Sequence, residues 1–297
     1  MPMNRTPKNE PQLFSGPGAV AAMTGLAALA CGAPAVEPAV REKAVAVLRE
    51  GLTAPGPEDF WAAMHAAEGL TAAGHATEVR AALAPRLATE EDPRRRCGLA
   101  RELVRAGDRE QVRIMAEILA GDDSRGHVHA AESLFKVGEI GDAAAMDRAF
   151  AGRENVSLHL MAAAALARRG GAEPLAAIRA ALAGRDPEGI MLAGWILGQI
   201  GADADIEPLR AALPRAATPV SRAFLEHALA LRGDAAGLAE LVRNLDSAAD
   251  AIRIAAANLA GDARAAAAGP QLARLLDDPV LDARIRAAHS LLVLDQP

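Results

Sequence analysis

Two stretches of this chain set a histidine and a glutamate three residues apart: His65-Ala66-Ala67-Glu68-Gly69-Leu70 and His129-Ala130-Ala131-Glu132-Ser133-Leu134. On a helix, residues i and i+3 share a face, so each imidazole projects beside its carboxylate. A pair of that kind can serve as general acid and base, each group tuned by the other. His129, Glu132, His65 and Glu68 are therefore the candidate catalytic residues. Trp61 lies one helical turn before the first pair and Lys136 one turn after the second.

These motifs sit in a repeating frame. Small apolar helices end at Gly74, Gly107, Gly138, Gly170, Gly201, Gly233 and Gly261, at spacings of 28 to 33 residues. Glycine suits the left-handed position that closes a helix. The aspartates of Gly107-Asp108, Gly141-Asp142, Gly233-Asp234 and Gly261-Asp262 are placed to cap the helix that follows. A second aliphatic helix follows each glycine, as in Val112-Arg113-Ile114-Met115-Ala116-Glu117-Ile118-Leu119, and no stretch alternates with the period of a strand. A period near 32 residues signals a stacked helical array. The last segment, Leu281-Asp282-Ala283-Arg284-Ile285-Arg286-Ala287-Ala288-His289, reads as a shortened terminal cap.

The frame resembles HEAT-type repeats of the phycobilisome-lyase subclass over about residues 36–295. The segments that carry the resemblance are Met161-Ala162-Ala163-Ala164-Ala165-Leu166, Ile254-Ala255-Ala256-Ala257-Asn258-Leu259 and Ile285-Arg286-Ala287-Ala288-His289-Ser290-Leu291. The resemblance implies an all-α, right-handed solenoid of about eight helical pairs, with the Ala-Ala helices lining its concave face. It is specific for fold and says little of function. Neither cysteine nor histidine is arranged in a way that supports tetrapyrrole attachment.

Stacking the repeats produces polar columns. One reads Glu68, Arg101, Glu132, Ala164, Trp195, His227; another reads His65, Gly98, His129, Met161, Leu192, Phe224. A third contains Arg96, His127, His159 and Arg222. The expected concave surface thus offers Trp61, Arg101, His127, Lys136, His159, Trp195 and His227 as ligand-binding residues beside the His–Glu pairs. Tryptophan faces stack on sugars, and Arg101 with Lys136 can hold a carboxylate. The structural alternative is an ion-pair ladder, because Glu68, Arg101 and Glu132 alternate in sign along one column.

A metal centre is the weaker reading. His and Glu at i, i+3 is a spacing used in diiron carboxylate bundles, but His65 and His129 fall two repeats apart, about 20 Å between helix axes. HEAT-repeat hydroxylases with a diiron centre carry adjacent His-Glu pairs, whereas the second half here offers only Glu226-His227. No metal ligand set and no cofactor is assigned. The chain also lacks a nucleophile elbow, a Walker loop and a dinucleotide fingerprint.

Composition narrows the rest. Of 297 residues, 51% are hydrophobic and only 2% aromatic, which suits closely packed Ala-rich helices. A net charge of -6 argues against a nucleic-acid groove. Lysine occurs only at Lys8, Lys43 and Lys136, so a lysine beside Glu132 stands out. The cysteines Cys31 and Cys97 make no disulfide framework, and Cys97 falls in a core register.

Residues 1–35 form a separate leader, and 36–297 the repeat domain. Within the leader, Ala19–Cys31 is an apolar run of signal-peptide length, and Ala28-Leu29-Ala30-Cys31-Gly32 resembles a bacterial lipoprotein cleavage box with Ala28 and Leu29 off its pattern. That resemblance implies a lipid anchor at Cys31 in the cell envelope or periplasm, while a first amphipathic helix of a cytoplasmic array fits the same residues. No run is long enough to span the bilayer. The functional expectation is a binding or scaffold module that presents a concave groove to a protein or a small molecule such as a carbohydrate. An enzyme acting on a carbohydrate or carboxylate is the alternative.

Overall fold

The computed structural model describes residues 36–54 and 56–296; the leader and Cys31 lie outside them. Sixteen α-helices and no strand occur among the described residues, arranged as eight pairs. The outer helices are α1 (Pro38–Leu52), α3 (Ala76–Thr89), α5 (Val112–Ala120), α7 (Ala143–Ala151), α9 (Ala172–Ala183), α11 (Ile206–Ala212), α13 (Ala235–Asn244) and α15 (Gly269–Leu275). The inner helices are α2 (Phe60–Ala72), α4 (Pro93–Arg105), α6 (His127–Val137), α8 (Val156–Arg168), α10 (Pro187–Ile200), α12 (Pro219–Leu231), α14 (Asp250–Ala260) and α16 (Leu281–Leu294). Each inner helix packs on the next inner helix along the chain.

Local chemistry explains most of the boundaries. The side chains of Asp92, Asp142, Asn155, Asp186, Thr218 and Asp234 accept hydrogen bonds from backbone N–H groups in the first turns of α4, α7, α8, α10, α12 and α13. At the other end, Gly138 adopts φ 76° and Glu139 N donates to Leu134 O, the closing bond of a Schellman turn. Gly74, Gly107, Gly170 and Gly233 take the same left-handed conformation. Gly201 and Gly261 do not. A Cβ on Gly261 would lie 2.9 Å from Ser290 Cα, so that glycine serves close helix packing instead of a turn.

The array does not end in a free cap. α16 packs on α14 as the next repeat should, and it also packs on α1 and α2. The first and last helical pairs are thereby joined, and the eight inner helices form a closed ring. Polar contacts line the seam. Val36 N and Arg41 donate to Asp295, Lys43 to Asp277, Arg284 to Glu50, and Gln296 Nε2 to Ala72 O. The sequence pattern that reads as a cap fails for a physical reason. α16 buries Ala283, Ile285, Ala287, Ala288, Leu291 and Leu292, too many apolar positions for one covered face.

Small residues let the seam close. A Cβ on Gly69 would meet Leu48 side-chain carbons at 2.9 and 3.0 Å and His289 Cβ at 3.2 Å. Gly69→Val is therefore expected to cost about 1–3 kcal/mol by overpacking α16, read as a lowered urea midpoint. An unchanged midpoint would mean that α16 does not dock there.

Candidate functional site

The side chains expected along an open concave surface are mostly sealed inside the ring. Glu68, Arg101, Glu132, Lys136 and Trp195 are all buried, as are His65 and His227. The charged ones collect on one side of the interior, on α2, α4, α6 and α16; the facing positions of α8, α10 and α12 are Met161, Leu192 and Phe224.

Glu68 is the hub of this cluster. Arg105 Nη1 lies 3.0 Å from one carboxylate oxygen and Arg286 Nη1 3.5 Å from the other. Burial opposes its ionisation, yet Arg105, His289, Arg286 and Arg101 hold its pKa down to about 2. Arg105 is shared with Glu102, which also receives Arg101 Nε at 2.6 Å. Arg286 in turn donates to Asn258 Oδ1 at 2.6 Å. On α6, Lys136 donates to Glu132, and its ammonium sits 5.7 Å from the centre of the Trp195 ring. Burial lowers the Lys136 pKa to about 8, a drop that Glu132 resists and Arg101 reinforces.

The first His–Glu pair is not wired as its spacing suggests. His65 Nδ1 bonds Asp282 Oδ1 at 2.7 Å, across the seam, instead of turning to Glu68. Despite burial, His65 and Arg286 keep the Asp282 pKa at about 2. His129 stacks on Trp61 with ring centroids 5.3 Å apart. That contact joins α2 to α6 across α4, where Gly98 leaves only 3.1 Å between a would-be Cβ and the Trp61 ring. The two repeats are thus linked side chain to side chain, although their spacing implies separate ends of a groove. The ion-pair ladder is also rewired: Arg101 helps lower the pKa of Glu68 and Glu132, but its hydrogen bond goes to Glu102 on its own helix.

Three expected ligand residues lie away from the cluster. His127 Nε2 meets Gly121 O at 2.8 Å in the turn before α6. His159 stacks on Phe150, and its Nδ1 donates to that residue's carbonyl at 2.6 Å. His227 is within 3.2 Å of Asn244 on α13, and burial alone pushes its pKa to about 3. Cys97 is fully buried, and burial pushes its thiol up to about 12. Sequence reasoning missed Glu102, Arg105, Asp262, Asp282, Arg286 and His289. The last three belong to the segment read as a cap. Asp262 reads as a helix cap but makes no such bond; burial and the nearby Glu68 carboxylate raise its pKa to about 7.

A cavity of about 280 Å³ opens beside this cluster, at the C-terminal ends of α2, α4 and α6 and against α16. Glu68, Thr71, Arg105, Arg109, Lys136 and His289 supply its polar wall, and Val104 and Val137 its apolar one. Among the described residues, no group of three or more His, Cys, Asp or Glu is placed to hold a metal ion. No described helix is long and apolar enough to cross a membrane.

No protein-family model matches the chain, and no curated protein matches it. Among solved structures, human deoxyhypusine hydroxylase in complex with glycerol is similar at 16% identity and a TM-score of 0.42, covering 86% of this chain and 97% of that one. A designed armadillo repeat protein is similar at 16% identity and a TM-score of 0.31, covering 84% and 99%. An engineered protein gives 18% identity, a TM-score of 0.32, and coverage of 84% and 96%. The chain is a helical-repeat protein.

The charge arrangement has a pH signature. The folded state holds the Asp262 proton at pH values where the unfolded chain has released it, so this group weakens stability progressively from about pH 4 to pH 7. Asp262→Asn should therefore gain stability relative to the parent as pH rises from 5 to 8, by about 1–2 kcal/mol after allowing for its partial exposure. Denaturant titrations at the two pH values measure it. An equal effect at both would contradict the assignment.

Proposed function

We propose that this protein is a binding module for a small polar molecule, admitted at one mouth of the ring. The observation that carries the reading is the closure of the inner helices. Solenoids that take extended protein segments use a long open concave surface, whereas the columns here are buried and engaged with one another. What opens beside them is a recess of about 280 Å³, just under the ~300–1,000 Å³ of drug-sized pockets. That size suits a metabolite and not a helix or a strand. Charged groups already fixed by salt bridges provide preorganised recognition, because their side-chain entropy is lost before the ligand arrives.

Thermal melting of the intact protein with panels of small carboxylates, polyols, sugars and amines tests the binding reading. At 100 times its Kd, a true ligand stabilises by about 2.7 kcal/mol, so Tm should rise by roughly 5–10 °C. Lys136→Met should abolish that rise. If no small molecule shifts Tm while a protein partner binds and protects this face, the reading fails.

A further inference from the structure

The cavity at the ends of α2, α4 and α6 has two chemically different walls. On α2, Glu68 and Thr71 lie three residues apart and both line it. Glu68 is 96% removed from solvent, and its two oxygens have cations within ion-pair distance but accept no hydrogen bond. The Thr71 hydroxyl is likewise buried without a hydrogen-bond partner. A buried hydroxyl left unmet is costly, and a ligand that satisfies it recovers that cost. Thr71 thus has an unmet hydroxyl one turn from Glu68, whose oxygens are held by ion pairs without a hydrogen bond.

On α4, on α6 and in the turn after α4, Arg105, Lys136 and Arg109 present cations to the same space. Arg105 pairs with Glu68 on the lining and with Glu102 behind it, while Glu132 and Glu139, the partners of Lys136 and Arg109, lie outside the lining. The lining therefore carries three cations against the single carboxylate of Glu68. The wall with the unmet hydroxyl faces one rich in cations.

We propose that this cavity binds a small hydroxycarboxylate. A ligand hydroxyl donates to Glu68 and exchanges a hydrogen bond with Thr71, while the carboxylate is held by Lys136 and Arg109. Val104 and Val137 pack the carbon chain. This assignment rests on the small-molecule reading above and names its ligand class. A plain carboxylate gives the Thr71 hydroxyl no partner, a polyol brings no anion to Lys136 and Arg109, and an amine brings neither a carboxylate nor a hydroxyl.

The test is isothermal titration calorimetry of the full chain. The probes are malate, gluconate and lactate, compared with succinate and propionate, which lack the hydroxyl, and with glycerol, which lacks the carboxylate. At least one hydroxycarboxylate should bind about tenfold or more tightly than its matched counterparts. Thr71→Val, nearly isosteric and removing only an unmet hydroxyl, should weaken that binding about tenfold while leaving Tm unchanged or raised. Equal affinity for the matched probes, or an affinity unaffected by Thr71→Val, overturns the proposal. Tight, Lys136-dependent binding of a neutral sugar or an amine in their place removes the hydroxycarboxylate class while the small-molecule reading stands. Absence of binding by any small polar probe removes both.

Discussion

A buried, ionised glutamate holds the first and last repeats of this protein together. Glu68 on the first inner helix faces Arg105 on the second and Arg286 on the last. An isolated carboxylate in such a place would cost several kcal/mol. Here it is offset by two guanidinium groups, one of which is itself anchored by Asn258 and the other by Glu102. The seam therefore depends on an ion pair, Glu68 with Arg286, that forms only when the ring is closed. Most of the remaining polar interior follows from that, since Arg101, Glu102, Glu132 and Lys136 extend the alternation of sign away from Glu68.

The other half of the ring shows what the same frame does without charge. Met161, Leu192, Trp195 and Phe224 occupy the matching registers, and the interior there is apolar packing. Four carboxylates, Glu68, Glu102, Glu132 and Asp282, are balanced by Arg101, Arg105, Lys136 and Arg286 on the polar side. Asp262 is the fifth acid, and with its pKa near 7 it is the member whose proton is least settled at neutral pH. Natural proteins tolerate such clusters at functional sites, where local stability is given up for chemistry. A cavity bordered by Glu68, Arg105 and Lys136 places this cluster within reach of a ligand.

The helices were legible in the sequence because their signals are local. Glycine at Gly138 and aspartate at Asp142 each act within one turn of where they stand, and the small apolar frame recurs from repeat to repeat. The burial of Glu68, Arg101 and Lys136 was not legible, since it depends on curvature summed over all the repeats. A one-dimensional column shows which positions stack; it does not show that Gly98 lets Trp61 reach over α4 to His129. Arg286 and His289 did carry a signal. They sit in a helix apolar on both sides, which an exposed cap would not be. Asp262 carried none, because the Gly-Asp step that caps α7 and α13 is the same in sequence as the one that turns a carboxyl toward the cluster.

The closed ring makes two residues 218 positions apart direct partners. A double-mutant cycle on Glu68→Gln and Arg286→Met, followed by denaturant unfolding, measures that partnership without reference to any ligand. Strong non-additivity is expected, a coupling of about 1.5 kcal/mol or more, since each group is buried against the other. Effects that add to within about 0.5 kcal/mol, as for distant and independent sites, would contradict the closure of the ring through this pair.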